Sequence, residues 1–268
     1  MQDNNFGIIF DEGPIARCLF ETAKREKFKF KEIIYLGGKN ILPQNFYINY
    51  NFKFHNSKPI KFLKKRDLSE FINDVEDYFD LGNNFFSNAY SNTYINNKEE
   101  NFNFVKNKSV NSSVLFEKIS KSKSNFFLNT GKQILKNPLK LNKFFLHIHP
   151  AILPDIKGAD GSLWNIKKKN CFGGTLFVLN EKIDEGEIIF KTELKLKKFN
   201  ISYKKFSNIL YDIWFSFIDP AIRCYVFKNS INNRKLENIT KSINIGGEYF
   251  SFMDNEIREK ILKKILTQ

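Results

Sequence analysis

The chain has 268 residues, enough to bury a full hydrophobic core, and it reads as one catalytic domain with an appendage. Its 30 phenylalanines and 16% aromatic content exclude a disordered chain, and no apolar run approaches the roughly 20 residues of a membrane span. The net charge of +14 comes mostly from lysines spread through the chain. It reads as solvated surface rather than a nucleic-acid-binding stripe, while still steering anionic substrates inward.

The opening MQDNNFGIIF carries no charged-then-apolar leader, which predicts a cytoplasmic protein. Cys18, Cys171 and Cys224 are far apart and odd in number, which fits reduced thiols, and no metal-ligand spacing is present. Residues 6–10 (FGIIF) read as a buried strand. Gly13-Pro14 then opens a helix to about residue 27, with proline at a tolerated first-turn position. EIIYL at 32–36 is a second strand, so the chain begins with a βαβ unit and an expected right-handed crossover. The intervening turn, DEGPIAR, is not a GxGxxG phosphate cradle.

Residues 46–54 (FYINYNFKF) alternate as a half-exposed strand does, and His55 after them reads as a surface histidine. Asp67 is placed to cap a helix reaching about residue 78, with Leu68, Phe71, Ile72 and Val75 inward. Residues 81–110, rich in asparagine and aromatics, predict a long loop with short strands. A helix starts at Ser113, and NFFLN at 125–129 is a strand leading into the turn TGKQIL.

The densest stretch is 144–189. A short apolar run carries His147 and His149 to its C-terminal end, and alternation puts both on one face. Pro150 and Pro154 force the next residues into an extended loop. Gly158 and Gly161 free the backbone before a helix that begins near Ser162, Leu163 and Trp164. A second apolar run, 174–179, leads to Asp184 in an acidic turn. Strand ends of this kind are where an open α/β sheet binds its ligands. Beyond them, residues 190–196 continue as a strand. A long helix follows over 202–227, with Phe206, Ile209, Leu210, Ile213, Trp214, Phe217 and Ala221 as a core-facing stripe and Pro220 as a kink or stop. The tail adds a strand-like aromatic piece and a basic amphipathic helix capped by Asp254, expected to dock on the domain.

The string HIHPAILPDIKG, with IDEGEII behind it, resembles the formyltransferases that use 10-formyltetrahydrofolate. Their pattern is Asn-x-His-Pro-x-x-Leu-Pro, a glycine-containing loop, then an Asp-x-Gly turn. The family's histidine falls on His149 and its aspartate on Asp184, 35 positions later and close to the family's spacing. Its asparagine falls on His147, which is a departure. The resemblance implies a Rossmann-like open-sheet α/β core over residues 1–196 with a short, mainly helical appendage over 197–268. It also implies formyl transfer to a primary amine without metal. The turn after the 125–129 strand lies beside the folate in that family, so Thr130, Gly131, Gln133, Ile134 and Leu135 are candidate cosubstrate contacts. An ordinary β-to-α turn accounts for the same residues.

Formyl transfer moves an acyl group between nitrogens. It needs a base for the attacking amine and a donor for the oxyanion of the tetrahedral intermediate. The resemblance makes His149 the base and Asp184 its partner, and leaves His147 to offer a ring N–H where the family has an amide. Gly158, Asp160 and Trp164 follow the catalytic loop and are candidate substrate contacts, although Asp160 could equally cap the helix near Ser162. A metal hydrolase using His147, His149 and Asp184 remains a minor alternative. The methionyl-tRNA enzymes of the family carry an extra C-terminal β-barrel, whereas here a helix follows the core. The amine is therefore expected on a nucleotide-linked amino sugar rather than on tRNA. Methionyl-tRNA formylation and a non-catalytic folate- or sugar-binding relative stay as alternatives, and a homodimer stays open.

Overall fold

Ile8, Ile9 and Phe10 are completely buried on consecutive positions, as a strand covered on both faces requires. They lie on β1 (Phe6–Asp11), which runs through α1 (Pro14–Arg25) into the parallel strand β2 (Glu32–Leu36). The structure, a computed structural model, describes residues 5–37, 49–52, 57–91, 93–96, 101–105, 107, 109–237 and 239–266. His55 and the ends of the expected 46–54 strand lie outside them. The described part of that strand, β3 (Asn49–Phe52), is followed by the helices α2 (Ser57–Leu63), α3 (Ser69–Tyr78) and α4 (Phe85–Tyr90). β4 (Thr93–Asn96) pairs antiparallel with β3, and β5 (Asn101–Val105) runs parallel to β2.

The N-terminus of α5 (Ser113–Lys121) is held by Ser112, whose side chain accepts the Leu115 N–H. Then come β6 (Phe126–Asn129), β7 (Phe144–His149), β8 (Ile156–Gly158), α6 (Gly161–Lys169), β9 (Cys171–Val178) and β10 (Ile188–Lys195). The main sheet has seven strands in the order β10-β9-β7-β6-β1-β2-β5. The five from β7 to β5 are parallel, while β9 and β10 each run antiparallel to their neighbours. The architecture is the expected Rossmann-like α/β sheet with a helical C-terminal region. Because the chain crosses from β5 back to β6 on the other side of β1, the order reverses there. Ligands bind such sheets outside the strand ends at this reversal.

Two expectations change here. Residues 81–110 contain α4, whose Phe85, Phe86, Ala89 and Tyr90 are buried, so aromatic density in that stretch marks packing rather than loop. Asp67 caps nothing: it sits inside a 3-10 turn over Arg66–Leu68 and pairs with Lys205 at 3.0 Å. The inward faces of Leu68, Phe71, Ile72 and Val75 are as read from the sequence.

The long helix expected over 202–227 is broken. It consists of α7 (Tyr203–Phe206), a 3-10 turn, α8 (Leu210–Ile213), a π-helical turn over Trp214–Ile218, and α9 (Asp219–Asn232). Pro220 explains much of this, since it has no N–H to offer the carbonyl four residues back, at Ser216. That carbonyl instead accepts the hydroxyl of Tyr90, and the widened turn is the accommodation. The chain finishes with β11 (Glu248–Phe250), parallel to β8, and α10 (Asn255–Leu266), capped by Asp254 as expected.

Helix α9 sits close against the sheet because β9 offers Gly174 beneath it. A Cβ there would come within 2.8 Å of Val226 and 2.9 Å of the His149 carbonyl. Phe217, Ile222 and Val226 consequently share one hydrophobic core with Leu146, Ile148 and Leu176. Residues on both sides of position 196 contribute to that core.

Candidate active site

Strand β7 ends on a cleft of about 620 Å³, at the carboxyl ends of the parallel strands. His147 and His149 both line it, as strand alternation requires, and Asp184 faces them from the turn between β9 and β10. Asp184 is held in the left-handed region at φ 53°. Its carboxylate accepts the Gly158 N–H at 2.8 Å, and its carbonyl accepts from Asn244 at 2.9 Å. The turn is thus pinned from both sides, and the carboxylate is aimed before any ligand arrives.

The hydrogen bonds of the two histidines fix their tautomers. His149 Nε2 faces the Ile156 carbonyl at 3.0 Å, so it carries the proton and donates. Nδ1 is left with a free lone pair, 3.5 Å from Asp184 Oδ2. Burial lowers the pKa of this ring from its ordinary value, and the Asp184 carboxylate opposes the shift. His149 is therefore neutral at pH 7, with a basic nitrogen next to the charge that would stabilise its imidazolium.

His147 is arranged differently. Its Nδ1 donates to the Asn129 carbonyl at 3.0 Å, and Nε2 receives Arg223 Nη1 at 3.5 Å. Burial and the neighbouring guanidinium push its pKa down to about 4. With one ring nitrogen committed to a carbonyl and the other accepting, His147 has no N–H left for an oxyanion. His147 is therefore not placed as the oxyanion donor that the sequence predicts.

Arg223 was not visible as a site residue. It lies on α9, and its Nε is bound by Asp219 at 2.9 Å. Asp219 also accepts Ser162 Oγ at 3.2 Å, which in turn accepts the Trp214 indole N–H at 3.1 Å. Arg223 Nη1 donates to the Ile148 carbonyl as well, tying the helix to the histidine strand. The only sequence signal was a charged pair at i, i+4, Asp219 and Arg223, inside an otherwise apolar stripe.

The remaining candidates divide. Gly131, Gln133, Ile134 and Leu135 line the same cleft, with Ile134 half exposed into it. Thr130 points inward, accepting the Asp11 N–H and donating to the Ile9 carbonyl, and so stitches β6 to β1. It borders a smaller neighbouring cleft of about 380 Å³ at the end of β1, which shares Ile15, Lys132, Gln133, Asp212 and Phe215 with the larger one. Gly158 and Asp160 line the main cleft, but both Asp160 oxygens are occupied, by Tyr211 at 2.7 Å and the Met253 N–H at 2.9 Å. Asp160 makes no capping bond to α6. Trp164 lies outside the cleft lining; it stacks on Phe250 at 4.5 Å and donates to the Ser251 carbonyl, holding β11 in place. That strand brings Tyr249 to the cleft, and the following turn brings Phe252. Both are well exposed there and, with Ile134 and Ile183, give the mouth an apolar rim. Among the described residues no group of three or more His, Cys, Asp or Glu is placed to hold a metal ion, and no helix is long and apolar enough to cross a membrane.

No protein-family model matches the chain, and no curated protein matches it. Solved structures do. A sugar N-formyltransferase from a Shewanella species superimposes with a TM-score of 0.50 at 14% identity, covering 96% of this chain and 85% of that one. A 4-N formyltransferase from Francisella tularensis gives 0.48 at 14% identity, over 96% and 84%. WlaRD, a sugar 3N-formyl transferase solved in the presence of dTDP and 5-N-formyl-THF, gives 0.49 at 17% identity, over 92% and 69%. This chain has the α/β fold of the Shewanella sugar N-formyltransferase.

Proposed function

We propose that the protein transfers the formyl group of 10-formyltetrahydrofolate to a primary amine, carried on a nucleotide-linked amino sugar. Fold alone does not set chemistry, so the proposal rests on the site. The observation that carries it is the free Nδ1 of His149, buried beside Asp184 at the end of the strand that opens the cleft. The amine nitrogen attacks the formyl carbon, and the carbonyl oxygen takes the negative charge. His149 Nδ1 removes the amine proton, and the imidazolium it forms is stabilised by Asp184. The bond from carbon to the folate nitrogen then breaks. That nitrogen takes up a proton, and tetrahydrofolate leaves with the formamide formed.

The turn Gly131–Leu135 and the apolar rim offer a flat aromatic cosubstrate one wall, and the lining mixes Lys132, Lys182 and Arg223 with Asp160, Asp184, Asp212 and Asp219, polar groups suited to a sugar and its amine. The Shewanella protein of this fold is a sugar N-formyltransferase, which agrees with a small amine as acceptor. A metal hydrolase is the weaker reading. His147 and His149 already spend ring nitrogens on the Asn129 and Ile156 carbonyls, and Arg223 holds the other His147 nitrogen.

Calorimetry with 5-formyltetrahydrofolate, a stable isomer of the donor, tests the proposal. Saturable binding that is weakened by substitutions at Ile134 or Leu135 is expected. A folded protein that binds nothing at millimolar ligand would refute it.

A further inference from the structure

We propose that Arg223 is the residue that stabilises the oxyanion, taking over the task left open where His147 stands in place of an amide donor. The inference rests on the formyl-transfer reading above. A donor for developing charge must be preorganised, partly shielded from water, and adjacent to the base. Arg223 meets each condition. Its Nε is fixed by Asp219 at 2.9 Å, and Asp219 is itself fixed by Ser162, so the guanidinium cannot swing freely. Its Nη1 is committed to the Ile148 carbonyl and to His147 Nε2. Its Nη2 has no protein partner among the described residues, and Arg223 lines the cleft with only 9% of its surface exposed. One edge of the fork therefore holds the guanidinium to the strand bearing both histidines, while Nη2 keeps its N–H groups for a ligand.

The same geometry gives His147 a role. Its neutral ring accepts from Arg223 and donates to Asn129, so it orients the guanidinium along β7 rather than touching the oxyanion itself. Histidine suits that work because it offers one donor and one acceptor on opposite sides of a rigid ring. A positively charged donor in a shielded site also suits an oxyanion better than a neutral amide would.

The test uses Arg223→Lys and Arg223→Ala, with formyl transfer measured alongside 5-formyltetrahydrofolate binding and thermal melting. Arg223→Lys keeps the charge and can still pair with Asp219, but loses the second nitrogen of the fork. The expected result is a fall in kcat of about 100-fold with folate affinity within about twofold of wild type, the loss typical of removing one oxyanion donor. Arg223→Ala should fall further and recover part of its kcat when guanidinium is added at millimolar concentration. A residue with a merely structural role would not give that rescue. Wild-type kcat in the folded Arg223→Lys variant, or losses confined to melting temperature and folate affinity, would overturn the assignment while leaving formyl transfer in place. A wild-type protein with no folate binding and no transfer would remove both.

Discussion

His149 Nδ1 lies 3.5 Å from Asp184 Oδ2 while its Nε2 is bound to the Ile156 carbonyl, so the ring turns its unprotonated nitrogen toward a carboxylate. Burial lowers the basicity of the ring, and the Asp184 charge opposes that shift by favouring the imidazolium. Asp184→Asn removes the charge that favours the imidazolium, so the His149 pKa falls further below its ordinary value. The acid limb of the pH–kcat profile should move to lower pH, and the plateau should drop by 10²-fold or more, since a weaker base accepts the amine proton less well. Asparagine can still accept the Gly158 N–H, so the turn should survive. An acid limb that does not move would show that His149 is not the titrating base.

Gly161 begins α6 directly against the His149 imidazole. A Cβ at this position would stand 2.8 Å from both Cε1 and Nε2 of His149, so Gly161→Ala must push the ring away from the Ile156 carbonyl. We expect kcat to fall at least tenfold, with the melting temperature lowered by a few degrees, as for about 1 kcal/mol of strain. A variant with unchanged kcat would mean that the ring position is not critical.

His147 links stability to pH. Its pKa in the folded chain is about 4, below the ordinary histidine value, so between the two the unfolded chain binds more protons than the folded one. Stability is then full above about pH 6.5 and falls as pH drops toward 4, by on the order of 3 kcal/mol for this group. Urea midpoints measured at pH 7 and 4.5 should differ markedly in wild type and less in His147→Asn. That variant should retain measurable turnover, because an amide also offers a donor and an acceptor. His147→Leu, which strands the Asn129 carbonyl and one Arg223 N–H, should lose most activity. Equal midpoints at the two pH values in wild type would contradict the burial of a neutral ring.

The sheet and the histidine strand were legible because their signals are local. FGIIF, EIIYL and NFFLN each announce a buried strand within five residues, and His147 and His149 share a face through strand alternation alone. The run 174–179 and the acidic turn after it placed Asp184 at a strand end, but its pairing with His149 came only through the resemblance, since no local pattern ties two residues 35 positions apart. Arg223 and Asp219 were hidden for a physical reason. They are a charged pair inside an apolar stripe, and a stripe at helical spacing reads as core. What exposes them to the cleft is the close approach of α9 over Gly174, a tertiary fact that no local window contains. Asp160 failed in the opposite direction. A carboxylate after the catalytic loop looks free to meet a substrate, but its partners Tyr211 and Met253 lie 51 and 93 residues away. Pro220 marks a kink or stop from the sequence, whereas the π-helical turn depends on Tyr90, from a stretch that reads as loop and folds as α4.

Formyl transfer to a small sugar amine is measured by a comparison between two acceptors. The purified protein is given 10-formyltetrahydrofolate with either a panel of amino-sugar nucleotides or charged initiator tRNA, at the same physiological salt. Ionic strength must match, because weak phosphate contacts from a chain of net charge +14 fade steeply with salt. The expected result is folate-dependent formylation of at least one amino-sugar nucleotide, lost in His149→Ala, with no transfer to tRNA. Efficient formylation of tRNA with none of any amino sugar, or sugar formylation that persists undiminished in His149→Ala, would contradict it.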